Sequence, residues 1–298
     1  MSILDKAKKI ITTTWLILIF CMLFFILSVL SIQNNFLGLF GGMPSLQDLE
    51  KPQSELSSEL YSSDTVLLGK YFRYNRSPIK YDELSKELIT TLLVTEDIRF
   101  YEHSGIDFKG LVRASYGVFK NIISLGNSGL EGGGSTITQQ LAKNLFKIRN
   151  ERKGKLSNVP FLGLIISKVK EWIVALKLEE FYTKNEILSM YLNTAEYGSN
   201  SYGIKVAAKT YFNKLPSKIN YNEASIIVGL LNKPTKYNPF YNPENSLNKK
   251  SEIIYNLYKY NKISQIEFDS LNGLGLNLTY KVQNQNAGQA TYFRTVVR

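Results

Sequence analysis

The chain has 298 residues, 44% of them hydrophobic and 20% charged, which is a folding composition and excludes a disordered tail or a fibrous repeat. Its net charge of +11 asks for an anionic partner, and neither zinc-finger spacing nor an aromatic RNA-binding signature favours nucleic acid over a membrane surface or a phosphorylated substrate. One cysteine, Cys21, and one histidine, His103, exclude an internal disulfide and a His/Cys metal cluster, leaving oxygen ligands alone for any metal.

Residues 10–32, IITTTWLILIFCMLFFILSVLSI, carry no charge. As a helix they span roughly 34 Å, enough for a hydrocarbon core of about 30 Å. Lys6, Lys8 and Lys9 precede the run and no charge follows until Asp48. The positive-inside pattern predicts a single-pass anchor in the plasma (inner) membrane, with residues 1–9 cytoplasmic and everything after 32 extracytoplasmic. The run exceeds a signal-peptide core and no small-x-small cleavage site follows it. Residues 33–54, with Gly41, Gly42 and Pro44, read as a linker. SELYSSDTVLLGKYF reads as a hairpin about Ser63–Asp64. From Tyr81 to about Asp269 the pattern is helical, and residues 271–280 are expected to hold one short strand.

Four segments carry most of the information, the fourth of them mostly scaffold. In ELSKELITTLLVTEDIRFYEHSG, Ser85 is a helix N-cap and Leu88, Ile89, Leu92 and Leu93 recur at helical spacing. Glu96, three residues after Leu93, extends that apolar face, and burial there would raise its pKa toward that of a general base. In EGGGSTITQQLAKNLF, Thr136 and Gln139 form a capping-box pattern that opens a helix. Ile137, Leu141 and Leu145 are its buried stripe, and Gln140, Lys143, Asn144 and Lys147 fall on another face. The glycines before Ser135 suit anion binding at a helix start, but no Gly-Lys-Ser/Thr ending makes this a nucleotide loop. In IISKVKEWIVALKLEE, Val169, Trp172, Ile173 and Leu176 form the apolar stripe, with Lys168 and Glu171 paired on a different face. FYTKNEILSMYLN begins with a second capping box, Thr183 and Glu186.

Together these segments closely resemble the glycosyltransferase domain (glycosyltransferase family 51) of class A penicillin-binding proteins. Glu96, Asp97, Phe100, His103 and Gly105 match E-D-x-x-F-x-x-H-x-G, and residues 134–140 match G-S-T-I-T-Q-Q, followed by Lys143 and Asn144. Lys168 and Glu171 match the end of R-K-x-x-E, KNEILSMYLN matches a fourth motif, and EASIIVGLLNKPTKYNP a fifth. The resemblance covers roughly residues 55–280. It implies a mainly α fold, with a lysozyme-like lobe and a small jaw lobe that dips into the membrane, for which VPFLGLII (159–166) is the candidate segment.

The implied reaction polymerises lipid II, the partners being lipid II, the growing glycan strand and membrane lipids, together with cell-wall synthesis proteins and no nucleic acid. The resemblance assigns Glu96 as base, Glu171 as a second catalytic carboxylate near the donor's sugar–phosphate junction, and Lys143 and Lys168 as cations for the pyrophosphate. Ser135, Thr136, Gln139, Gln140 and Asn144 would position substrate or hold the cleft's shape, and Asp97, Phe100, His103 and Gly105 would brace the loop. No cofactor is required; a divalent cation (Mg or Mn) assists some relatives, but no ligand cluster for one is visible.

The chain departs from the family where two arginines are usual, at Ser167 and Gly163. Arg149, Arg152, Lys153 and Lys155 lie upstream and would substitute if that segment folds back; a solvated basic loop explains them equally well. Residues 281–298 resemble the start of a linker toward a transpeptidase domain that the chain lacks. Ser-x-x-Lys occurs at Ser77–Lys80, Ser167–Lys170 and Ser246–Lys249 without a downstream K-T-G box, and all three are read as chance. The alternatives are a lysozyme-like lytic enzyme and a non-catalytic, lipid II-binding membrane scaffold.

Overall fold

A computed structural model describes residues 3–50, 58–65, 67–71, 78–123, 134–149 and 152–281. The expected boundary at 54/55 and nearly all of the 281–298 segment lie outside these residues. The fold is mainly α, as expected. Its elements run α1 (Ile3–Gln33), α2 (Leu46–Glu50), a hairpin of β1 (Ser58–Tyr61) and β2 (Leu67–Tyr71), then α3 (Lys86–Glu96), α4 (Phe108–Ile123), α5 (Ile137–Leu145), α6 (Leu162–Phe181), α7 (Lys184–Thr194), α8 (Ile204–Phe212), α9 (Tyr221–Asn232), α10 (Pro243–Lys259) and α11 (Gln265–Gly273). The hairpin is antiparallel and pairs Ser58 with Tyr71, with an irregularity between Leu60 and Tyr61.

α1 begins before the charge-free run and includes the three lysines. Within Asp5–Gln33 an 18-residue window has a mean hydropathy of 2.9 and is almost wholly unburied by the protein, so its apolar surface requires another apolar phase. Its end is fixed to the globular part. Ile32 packs with Ile166 and Val169 of α6, and Val29, Phe40, Leu156 and Ile173 close around them. Lys170, fully buried on α6, donates to Gly41 O at 2.8 Å, Gly42 O at 3.3 Å and Arg152 O at 2.8 Å. Burial and the nearby Arg152 push its pKa down to about 8. Arg152 itself bonds Met43 O and Asp48. The linker after the anchor and the segment before α6 are thus clasped through one lysine.

The main core joins α3, α5, α6, α7, α8 and α9 through Leu88, Leu92, Phe100, Ile137, Leu141, Leu178, Ile187, Ile227 and their neighbours. Ser85 caps α3 by accepting from Leu88 N, and Thr183 and Glu186 close the expected reciprocal box on α7. Two expectations need correction. The buried face of α6 runs through Ile166, Val169, Lys170, Glu171, Val174, Ala175 and Leu178, while Leu176 is 48% exposed and Trp172 and Ile173 are half-buried. Two buried polar residues shift the stripe, which apolarity alone could not reveal. Residues 274–281 form no strand. Instead Thr279 N and Lys281 N donate to Tyr211 O and Thr210 O, unpaired carbonyls at the end of α8, and Tyr280 stacks on Phe240 with centroids 4.1 Å apart.

The 159–166 segment enters α6 with Phe161 at positive φ and 76% exposed. Leu164 and Val159 are exposed beside it, and on α4 so are Phe108, Val112 and Tyr116, four residues apart on one face. These exposed apolar groups occupy the two elements flanking the site described next.

Candidate active site

Glu96 is the last residue of α3. Its Oε2 accepts from Gln140 Nε2 at 2.7 Å, and Tyr191 OH donates to Gln140 Oε1 at 2.9 Å. A buried tyrosine on α7 therefore fixes which way the amide faces, and the amide presents its N–H to the carboxylate. Burial pushes the pKa of Glu96 up; Gln140, Lys249 and Lys143 each pull it back, and Asp97 adds to the rise.

The neighbouring loop is held independently of Glu96. Asp97 turns away from the helix and accepts from His103 Nε2 at 3.1 Å and from Ile137 N at 3.1 Å, at the start of α5. Phe100 is buried edge-on to His103, and Lys184 Nζ lies 4.2 Å from its ring centre while donating to His103 O. Gly105, at φ +86°, offers its carbonyl to Thr136 Oγ1 (2.7 Å) and Gln139 Nε2 (3.1 Å). Thr136 caps α5 as expected by accepting from Gln139 N, but Gln139 does not return the bond, its side chain being drawn to Gly105 instead. Thr136 and Gln139 are buried, so they hold the start of α5 in place and are not exposed to solvent. A β-carbon at residue 105 would sit 3.0 Å from the Ala175 carbonyl in a backbone region that disfavours side chains. Gly105→Ala is expected to destabilise the fold by about 1–3 kcal/mol, read as a lower denaturant midpoint at unchanged slope.

The second half of the site is built on Glu171, which α6 buries. Lys168 Nζ donates to its Oε2 at 3.1 Å and to Ser135 Oγ at 2.7 Å. Arg149 Nε donates to its Oε1 at 2.7 Å. Lys143 is half-buried one turn after Gln140; its pKa is pushed down by burial, then by Arg149 and Lys168, against the opposite pull of Glu171 and Glu96. These groups form one electrostatic neighbourhood with Glu96. Asn144 is exposed, and no contact of its own ties it to the cluster among the described residues.

Neither position on α6 where an arginine was expected points a cation into the site. Ser167 Oγ donates to Gly163 O, and a β-carbon on Gly163 would meet Ser157 O at 2.3 Å. Of the four upstream cations, Arg149 reaches Glu171 and Arg152 is committed to the clasp. Among the described residues no group of three His, Cys, Asp or Glu could hold a metal. Glu171 has both oxygens engaged, by Lys168 and Arg149, and Glu96 has one engaged by Gln140, and no step is routed through a divalent cation.

Sequence reasoning missed Lys249 and Tyr191. Lys249 lies in one of the Ser-x-x-Lys matches, on α10 which packs on α3, and it acts on Glu96 more strongly than Lys143 does. Nothing local in SLNK signals that, because the proximity is tertiary.

The family model for transglycosylases matches residues 64–258. The chain is 33% identical over 254 residues to penicillin-binding protein 1A of Vibrio cholerae, covering 85% of this chain and 29% of that protein. It is 31% identical over 256 residues to penicillin-binding protein 1A of Escherichia coli K12, covering 86% and 28%. A crystal structure of penicillin-binding protein 1A from Haemophilus influenzae aligns with a TM-score of 0.43 at 20% identity, over 83% of this chain and 24% of that one. The chain spans less than a third of the length of these relatives.

Proposed function

The chain belongs to the transglycosylase family, and from that premise we propose that it polymerises lipid II into glycan strands. The site supports that reading by bringing a carboxylate with raised pKa into one electrostatic neighbourhood with a cluster of cations. The acceptor's GlcNAc 4-hydroxyl attacks C1 of the lipid-linked donor's MurNAc with inversion. Glu96 takes the hydroxyl proton as the new C1–O bond forms and the bond from C1 to the pyrophosphate oxygen breaks. Undecaprenyl pyrophosphate leaves with the electron pair, and Lys143 and Lys168 neutralise its growing charge. Glu171 aims Lys168, and Gln140 and Ser135 orient Glu96 and Lys168. Asn144 stands at the rim. Asp97, His103, Phe100, Gly105, Thr136 and Gln139 position the loop and the start of α5.

The observation that carries this reading is a half-buried carboxylate with raised pKa on α3 linked to a cluster of cations through one short helix, α5, whose Gln140 bonds the carboxylate and whose Lys143 joins the cluster. α1 spans the membrane with the N-terminus in the cytoplasm, which puts the site outside the cell. The exposed apolar faces of α4 and the start of α6 then meet the lipid, where the polyprenyl chain of the substrate runs. The purified full chain in detergent or vesicles, given lipid II, is expected to form glycan polymer. Binding of lipid II without turnover would favour the scaffold instead, and cleavage of finished, lipid-free glycan the lytic enzyme.

A further inference from the structure

Lys170 is wholly buried on α6, yet among the described residues it pairs with no carboxylate. Its ammonium faces three backbone carbonyls, Gly41 O, Gly42 O and Arg152 O, one for each N–H it carries. A buried charge is costly unless its donors are met, and here two segments far apart in the chain meet them. One is the linker that follows α1, and the other runs into α6. The two backbones also touch directly. Gly41, at φ +79°, has no room for a side chain against Arg152 O and Lys153 C, and a β-carbon on Gly154 would overlap Gly41 N and Phe40 C. Leu156 N donates to Leu39 O at 2.9 Å across the same junction.

The junction continues to the end of the anchor. Asn35, just after α1, accepts from Phe40 N at 3.1 Å and from Gly41 N at 2.7 Å. Ile32, in the last turn of α1, packs on Ile166 and Val169, which bracket Lys168 on α6. Lys168 and Glu171 share one face of that helix, and Lys170 lies about 100° round it from Glu171. Arg152, whose carbonyl Lys170 holds, is three residues after Arg149, which bonds Glu171. One helix thus carries site groups on one face and the mount on another. A free glycine linker would let the lobe tilt and rise over the bilayer. This one is bonded at Leu39, Phe40, Gly41 and Gly42, so it does not act as a flexible tether. A substrate held in the same bilayer presents its reacting group at one height, and a site must be held at that height to meet it.

We infer that Lys170 is a positioning residue for a membrane-held substrate: by bonding the linker and the segment before α6 at once, it fixes the site groups of α6 at one height and tilt over the bilayer. The inference rests on the proposed reading of α1 as a membrane span and of the substrate as lipid-linked, and part of its test needs no turnover. Lys170 acts through the backbone it holds and not on the reacting atoms. Without the clasp only a fraction of molecules present the site correctly at any moment, and apparent affinity for a substrate in the bilayer falls by that fraction. In a detergent micelle the substrate is not held at one height, and the requirement relaxes.

The test compares the full wild-type chain with two variants, with melting curves as the check on folding. Lys170→Met keeps the stem and removes the ammonium. Gly154→Ala crowds the same junction from the other side, in an extended backbone that alanine accepts. Lipid II polymerisation is measured in vesicles and in micelles. In vesicles both variants are expected to raise KM about five- to tenfold with kcat within about twofold of wild type, and in micelles KM should stay within about twofold. Equal losses in the two media, or a fall in kcat at unchanged KM, overturn the inference and leave Lys170 as a lysine of the fold alone. A second arm reads the mount without substrate. With Cys21→Ser, a dye on Ser217→Cys, an exposed position of the lobe, reports by its nanosecond residual anisotropy how freely the lobe tilts on a vesicle. Lys170→Met and Gly154→Ala should lower that anisotropy, and values equal to wild type overturn the inference. If no protein, wild type included, makes polymer while the anisotropy still falls in the variants, the polymerase reading fails and the mount stands.

Discussion

Glu96→Gln is expected to reduce lipid II polymerisation by about 10³-fold, near the middle of what a positioned general base contributes. The substitution keeps the shape, and Gln140 can still donate to the new amide oxygen, so the cleft is preserved while the proton acceptor is lost. The same variant should be as stable as wild type at neutral pH or more so. Burial raises the folded-state pKa of Glu96 above its ordinary 4.5, so the folded protein binds this proton more tightly than the unfolded chain. Stability is therefore lost as pH rises from 4.5 through the folded value, when a buried carboxylate must ionise. Glutamine removes that cost, and the advantage should vanish below pH 4.5. Thermal melts of the two proteins at acidic and neutral pH check this. A variant that lost both activity and stability at neutral pH would point to a structural role.

Lys143→Met is expected to lower kcat by about 10²-fold, the effect of removing one preorganised charge from a developing anion. Methionine keeps the stem's packing and deletes the ammonium. Lys143 is desolvated and sits between the carboxylate that takes the proton and the cluster that receives the leaving group. Its depressed pKa predicts that activity falls on the alkaline side as pH rises through a value below 10.5, when the ammonium is lost. In Lys143→Met that limb should be absent from the residual activity. An alkaline limb identical in both proteins would assign it to another group.

The legible parts of this molecule were those with local causes. Ser85, Thr136 and Thr183 were readable as caps because an N-cap bonds within three residues. The anchor was readable from its own length and composition. The partly buried place of Glu96 was readable because it continues the face set by Ile89 and Leu93. What was hidden depends on contacts between distant segments. Gln139 left its capping box for Gly105, 34 residues back. Lys170, read only as the end of a chance Ser-x-x-Lys match, is the clasp on the linker. The strand expected near the end has no strand partner among the described residues, and carbonyls at the end of α8 took its N–H groups. The upstream basic run could be recognised as a reserve of cations, but which of them turns inward was settled by the path of the chain around Gly163.

The most direct test of Glu96 as the base of a polymerase is the acid limb of kcat/KM for lipid II polymerisation by the full chain. A single group with its pKa raised above 4.5 by burial should set that limb, and the residual rate of Glu96→Gln should show none. A wild-type rate that stays level as pH falls to 4.5, or an acid limb that survives in Glu96→Gln, would contradict the account.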